Sequence, residues 1–131
     1  MMTRILGIDF GTRRIGVAVS NEDHTLAFPY SVVDALKDPV SEIRAICEKE
    51  NISRIVIGIP HGLQGGDTAM TKQAMQFAGS LAVIGKPVEC VNEFFSSKAV
   101  ERGPTPKEKV DAAAAALILQ SYLERVPDVI E

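Results

Sequence analysis

Two short apolar runs constrain the fold of this chain more than any other feature. They are Arg4–Phe10 (RILGIDF) and Arg54–Ile59 (RIVIGI). Each run is nearly continuous rather than alternating, which is typical of strands that are buried on both faces. Such strands need helices on either side of the sheet. The sequence therefore predicts an α/β fold, with Arg4–Phe10 in the middle of its sheet.

The remaining segments give the order of the elements. Ile15–Ser20 and Ala27–Val33 predict two further strands, and Pro29 places the second at an edge because proline cannot donate to a neighbouring strand. Val88–Val91 predicts a short fifth strand. Three helices are predicted, from the cap Asp38-Pro39 to Asn51, from the cap Asp67 or Thr68 to Gly85, and from the capping box Thr105–Glu108 to about Arg125.

This order predicts a five-stranded mixed sheet that is flanked by helices. The first three strands follow one another closely and suit an antiparallel meander. The later two strands arrive through helical crossovers and should run parallel to the first. A length of 131 residues suits one domain, so we expect residues 1–131 to form a single domain.

Composition and charge bear on the partners and the cellular location of the protein. The net charge of −3 argues mildly against nucleic acid as a partner, although acidic metal ligands also lower the net charge. No apolar run is long enough to span a membrane, and the N-terminus lacks the cleavage site of a signal peptide. We therefore expect a cytoplasmic protein, in which Cys47 and Cys90 are reduced and buried in the core.

Two acidic residues are predicted to meet at one edge of the sheet. Asp9 lies at the carboxyl end of a buried run, where a carboxylate is costly unless it is paired or bound to metal. An aspartate that caps the following turn would also fit this segment. Glu93 follows the Val88–Val91 strand, and the carboxyl ends of parallel strands share an edge. A solvated loop glutamate is the ordinary alternative at that position.

A third acidic residue, Asp111, lies in the second turn of the last predicted helix, on a face that carries Ala115 and Ile118. An ionised aspartate among apolar neighbours needs a partner, although the helix macrodipole would also favour it there. The five alanines that follow Asp111 allow the helix to approach the sheet closely. If they converge, Asp9, Glu93 and Asp111 offer oxygen ligands that suit Mg²⁺ or Mn²⁺, which activate water for phosphodiester cleavage.

Three segments carry motifs of a known protein family. They are Gly7–Ala18 (GIDFGTRRIGVA), Gly58–Pro60 followed by Gly65-Gly66, and Lys109–Ala112 followed by Leu119–Leu123. In these motifs the chain resembles, over essentially its whole length, the YqgF (RuvX) family. That family comprises Holliday-junction-resolvase-like pre-16S rRNA nucleases of the RNase H-like superfamily.

The resemblance implies an RNase H-like nuclease that hydrolyses phosphodiester bonds in structured nucleic acid with Mg²⁺ or Mn²⁺. Its expected substrate is the 5′ end of pre-16S rRNA, with Holliday-junction-like DNA as a further candidate. The resemblance also implies that Asp9, Glu93 and Asp111 are the catalytic acids that hold the metal. Neither the choice of RNA or DNA nor that between monomer and homodimer follows from the sequence.

Four basic residues near these motifs are candidates for contacts with the nucleic acid. They are Arg13, Arg14, Lys107 and Lys109. The two arginines follow Asp9 closely, where they are well placed to touch a phosphate backbone. A solvated hairpin is the alternative interpretation of the same arginine pair.

The sequence also departs from the family pattern. Asn92 and Phe94 stand where the family has aspartate and arginine, and the loss of that arginine removes a bidentate phosphate contact. A non-catalytic nucleic-acid-binding module of the same fold therefore remains an alternative. Asp9–Thr12 also fits the phosphate loop of actin-like and sugar-kinase-like nucleotide binders, but those proteins clamp ATP between two such domains and this chain has the length of one.

Overall fold

The computed structural model describes residues 2–61, 68–94 and 107–125, with side chains at all of these positions except 61, 93, 94 and 107–110. Five strands form one sheet: β1 (Arg4–Asp9), β2 (Arg14–Ser20), β3 (Ala27–Asp34), β4 (Ile52–His61) and β5 (Val88–Phe94). Three α-helices and one 3₁₀ helix accompany them: α1 (Pro39–Lys49), α2 (Ala69–Ser80), the 3₁₀ helix (Leu81–Ile84) and α3 (Lys107–Arg125).

The strand order across the sheet is β3-β2-β1-β4-β5. β1 is therefore the central strand, as its apolar run predicts. β1 pairs antiparallel with β2 and β2 antiparallel with β3, whereas β1 and β4, and β4 and β5, pair in parallel. The predicted mixed topology is confirmed. β3 lies at the edge that Pro29 predicts.

Helices cover both faces of the sheet. On one face, residues such as Leu6, Ile8 and Ile57 form a buried cluster with α1, α2 and the 3₁₀ helix. On the other face, α3 buries Ala115 and Leu119 against a second cluster. Because both faces of β1 and β4 are buried, their sequences are nearly continuous runs of apolar residues.

The helix ends agree with the sequence in part. Thr68 caps α2 by accepting a hydrogen bond from the backbone N–H of Thr71, as expected for one of the two candidate caps. Asp38 occupies the predicted cap position of α1, but its side chain makes no capping hydrogen bond. Its backbone is left-handed, with φ 49°, whereas a capping side chain needs an extended backbone to reach the first turn. The predicted box Thr105–Glu108 lies outside the residues and side chains described.

The cysteines separate into two environments. Cys47 on α1 is buried in the core, as predicted. Cys90 is exposed, so the prediction that it belongs to the core is wrong. The physical reason is that β5 is an edge strand, and the helices do not extend far enough across the sheet to cover Cys90. Both thiols are free.

None of the helices in the described part of the chain combines the length and the hydropathy of a transmembrane segment.

Candidate active site

Asp9 is the last residue of the central strand and lies half-buried at the carboxyl end of the sheet. Its backbone is in register with Gly16 on the antiparallel neighbour β2 and with Gly58 on the parallel neighbour β4. Both register partners are glycines, so no side chain from either neighbour fills the space beside Asp9. The strand order therefore presents this carboxylate where the sequence predicts a ligand site.

α3 brings Asp111 directly onto the strand next to Asp9. A Cβ atom on Gly16 would lie 2.0 Å from the backbone oxygen of Asp111, a distance that no real contact permits. The helix therefore packs directly against the backbone of Gly16, which is the register partner of Asp9. A similar close approach occurs about two turns further along α3, where a Cβ on Gly7 would lie 2.7 Å from the Cβ of Leu119. The alanine-rich sequence of α3 and the sheet glycines together allow this approach.

Arg14 holds the side chain of Asp111. The Nε of Arg14 donates a hydrogen bond of 2.8 Å to Oδ2 of Asp111, and the two side chains are 38% and 26% exposed. The sequence predicts a phosphate contact for Arg14 but gives no sign of this ion pair, because a pairing between residues so far apart in the chain leaves no local pattern. The ion pair therefore joins the start of β2 to the second turn of α3. The neighbouring Arg13 is exposed.

Glu93 lies at the same edge of the sheet as Asp9. Its backbone is in register with Pro60, two positions beyond Gly58, which is the β4 partner of Asp9. The side chain of Glu93 is not among those described, and neither are those of Lys107 and Lys109 at the start of α3. Among the described residues, no group of three histidine, cysteine or carboxylate side chains could hold a metal ion.

Thr71 fixes the start of α2 to this edge of the sheet. Its hydroxyl, fully buried, donates a hydrogen bond of 2.5 Å to the carbonyl oxygen of Pro60 and accepts one of 2.9 Å from the backbone N–H of Thr68. Pro60 is the register partner of Glu93. Sequence reasoning misses this residue, although a threonine three positions after a threonine cap resembles a capping box.

Known proteins resemble this chain over nearly its whole length. A profile of the RuvX family, described as Holliday junction resolvase, matches residues 3–125. The chain belongs to the RuvX family. A relative in Maridesulfovibrio salexigens, named "Putative pre-16S rRNA nuclease", is 39% identical over 93% of this chain and 98% of its own length. A relative of the same name in Orientia tsutsugamushi is 38% identical over 94% of this chain and 85% of its own.

Two solved structures have the same fold as this RuvX chain. RuvC of T. thermophilus, in complex with a Holliday junction substrate, matches with a TM-score of 0.56 and 17% identity over 94% of each chain. The Holliday junction resolvase of Fowlpox virus matches with a TM-score of 0.54 and 14% identity, over 95% of this chain and 100% of that one. These matches confirm the predicted RNase H-like fold, and the family identifies the protein as an enzyme of the nuclease class.

The departures from the family pattern fall on the last residues of β5. Asn92 is exposed and in register with Ile59, and the backbone of Phe94 is in register with His61. β5 therefore continues as a regular parallel strand through both substitutions. The change from the family pattern alters side chains at the edge of the site, while the strand that carries Glu93 is preserved.

Proposed function

We propose that this RuvX protein is a cytoplasmic, metal-dependent nuclease whose residues 1–131 form a single RNase H-like nuclease domain. It hydrolyses phosphodiester bonds in structured nucleic acid, most of all at the 5′ end of pre-16S rRNA, with Holliday-junction-like DNA as a second substrate. The observation that carries the proposal is the seating of Asp111 against Gly16, the register partner of Asp9. This contact places the backbone of Asp111 beside the strand position that pairs with Asp9, which supports a site shared by the two acids. The name of the RuvX relatives supports the RNA substrate.

The residues at this edge fit a hard divalent cation. Asp9 and Asp111 supply carboxylate oxygens, which Mg²⁺ and Mn²⁺ prefer, and Glu93 lies at the same edge by the register of β5. The pairing of Asp111 with the Arg14 guanidinium at 2.8 Å supports an ionised carboxylate at this position, which is the form that a metal ion needs. In the proposed enzyme, Asp9, Glu93 and Asp111 would hold the metal, which would supply an activated water and stabilise the leaving oxygen.

The chain's own residues would perform three tasks around that chemistry. Asp9 provides a fixed carboxylate, because it ends a central strand that is buried on both faces. Arg14 holds Asp111 in place and limits the repulsion between neighbouring carboxylates. Arg13, Lys107 and Lys109 would contact phosphates on either side of the cleavage point. The protein would act as a monomer or a homodimer.

A second function is favoured by one observation on β5. Phe94 stands where the family has an arginine that would bind phosphate, and Asn92 stands where it has an acid. A RuvX protein without those groups could bind structured nucleic acid through its basic residues and leave it uncut. The two functions differ in one measurable respect, which is the appearance of cleaved product.

The test is a cleavage assay on a pre-16S rRNA fragment and on a four-way DNA junction, at low salt with Mg²⁺ or Mn²⁺. The wild type should cut at least one substrate. Asp9→Asn and Asp111→Asn should each slow cleavage by at least about 100-fold, the order of loss when a group that stabilises the transition state is removed. Asp23→Asn, an exposed turn residue after β2, is the matched control and should cut as the wild type does. If the wild type cuts neither substrate, or if Asp9→Asn cuts as fast, the nuclease function is wrong.

A further inference from the structure

An open groove runs between the β3 edge and the first turns of α3, on the face of the sheet that carries Asp111. It has a volume of about 980 Å³, at the upper end of the roughly 300–1,000 Å³ typical of small-molecule sites. We call it the β3 groove. Its lining includes Arg13, Arg14, Pro29, Val32, Leu36 and Ala113.

The β3 groove combines an apolar surface with charged side chains. Pro29, Val32 and Ala113 supply apolar surface, and Leu36 is 71% exposed beside them. Arg13 and Arg14 supply positive charge, and Arg14 is paired with Asp111. Asp34 also lines the groove, but Oδ1 of this carboxylate accepts a hydrogen bond of 2.9 Å from the backbone N–H of Leu36. Both an apolar and an anionic part of one ligand can therefore be accommodated.

Arg14 connects the β3 groove to the candidate active site. It lines the groove, and its Nε binds the carboxylate of Asp111 at 2.8 Å. A strand whose cleaved phosphate lies by Asp9 and Asp111 would therefore pass the groove within one or two nucleotides. A nucleotide has the two parts that the groove accommodates, a flat base with apolar faces and a phosphate.

A second copy of the chain is the other occupant to consider, because β3 is an edge strand. Two features of β3 oppose pairing with another strand. Pro29 has no backbone N–H to donate, and the register with β2 shifts between Val17 and Ala18, opposite the middle of β3. The groove is therefore better suited to nucleic acid than to self-association.

We propose that the β3 groove binds one unpaired nucleotide next to the cleavage point, with its base on Pro29, Val32 and Ala113 and its phosphate on Arg13. This inference rests on the proposed function, since it concerns the substrate of the same site. It specifies a substrate in which a single-stranded nucleotide flanks the bond to be cut. Recognition of such nucleotides through the face of the base tolerates any sequence.

The experiment measures binding of fluorescein-labelled single-stranded RNA by anisotropy, in buffer with EDTA so that neither metal nor cleavage contributes. Ala113→Glu places a carboxylate in the groove, and we expect it to weaken binding about fivefold or more, the lower end of the effect of one stacked base. Val83→Glu is the matched control, because Val83 is 65% exposed on the opposite face and the charge change is the same. The control should bind within about twofold of the wild type.

A second arm separates contacts to the base from contacts to phosphate. An abasic strand should bind the wild type several-fold more weakly than the RNA with bases, and this difference should disappear in Ala113→Glu. Arg13→Ala should reduce the log–log salt slope by about 0.7, the value for one phosphate on a single strand, whereas Arg44→Ala, exposed on α1, should not change it.

Two results would overturn the inference. One is equal binding of RNA by Ala113→Glu and Val83→Glu. The other is a wild-type dimer in sedimentation that Ala113→Glu dissociates, which would make the groove a contact between copies. If base-dependent binding in the groove is found but no cleavage, the proposed function fails and the groove assignment stands. Cleavage without base-dependent binding refutes the groove assignment alone.

Discussion

Replacement of Gly16 by alanine should separate α3 from the sheet where Asp111 packs against the register partner of Asp9. The backbone φ of Gly16 does not require glycine, so the cost is one of space. The added Cβ would lie 2.0 Å from the backbone oxygen of Asp111, and this oxygen must retreat by about 1 Å before any contact is tolerable. Because the obstacle is helix backbone, no side chain can rotate away. We expect a loss of about 3 kcal/mol in the free energy of unfolding, the upper part of the usual range for overpacking.

Chemical and thermal denaturation measure this loss. For a domain of this size, about 3 kcal/mol corresponds to a fall in Tm of about 10 °C. Gly79→Ala on α2 is the control, because nothing lies within 4 Å of the added Cβ. It should stabilise the protein by about 0.5 kcal/mol through helix propensity. A Gly16→Ala variant as stable as the wild type would refute the close seating of α3.

Two further predictions concern single side chains. Thr71→Val removes the buried hydroxyl that donates to the carbonyl of Pro60. In urea denaturation it should lower the free energy of unfolding by about 1–3 kcal/mol, and Thr71→Ser should recover most of this loss. Equal stability of the two variants would contradict this. In Ellman's assay the folded protein should present one reactive thiol, the exposed Cys90. Burial raises the pKa of Cys47 to about 11 and closes off its thiol, so Cys47 should react only after unfolding; two fast thiols in the native state would show that its burial is wrong.

The sheet could be predicted from the sequence because its signals are local. The apolar runs at β1 and β4 mark strands with two buried faces, and Pro29 marks an edge. The exposure of Cys90 could not be predicted in this way, since the apolar segment around it resembles a core strand. Its exposure depends on how far the helices extend across the sheet, which is a property of the assembled fold.

The candidate site could be predicted only in outline. The acids at the end of β1 and on α3 are visible because each is unexpected in its own segment. Arg14 pairs with Asp111 across 97 positions of the chain, and Asp111 packs on Gly16 across a similar separation, so no local pattern indicates either contact. The alanines of α3 indicate a close approach to the sheet, but the glycine that receives the helix emerges only from the register of β1 and β2.

The measurement that tests the central claim most directly is an anomalous difference map from crystals soaked in Mn²⁺. We expect a peak within coordination distance of the carboxylates of Asp9 and Asp111, with Glu93 completing the site. Crystals of Asp9→Asn, soaked in the same way, should lack that peak. A wild-type map in which Mn²⁺ binds elsewhere, or in which the Asp9→Asn peak is undiminished, would contradict a metal site at this edge of the sheet.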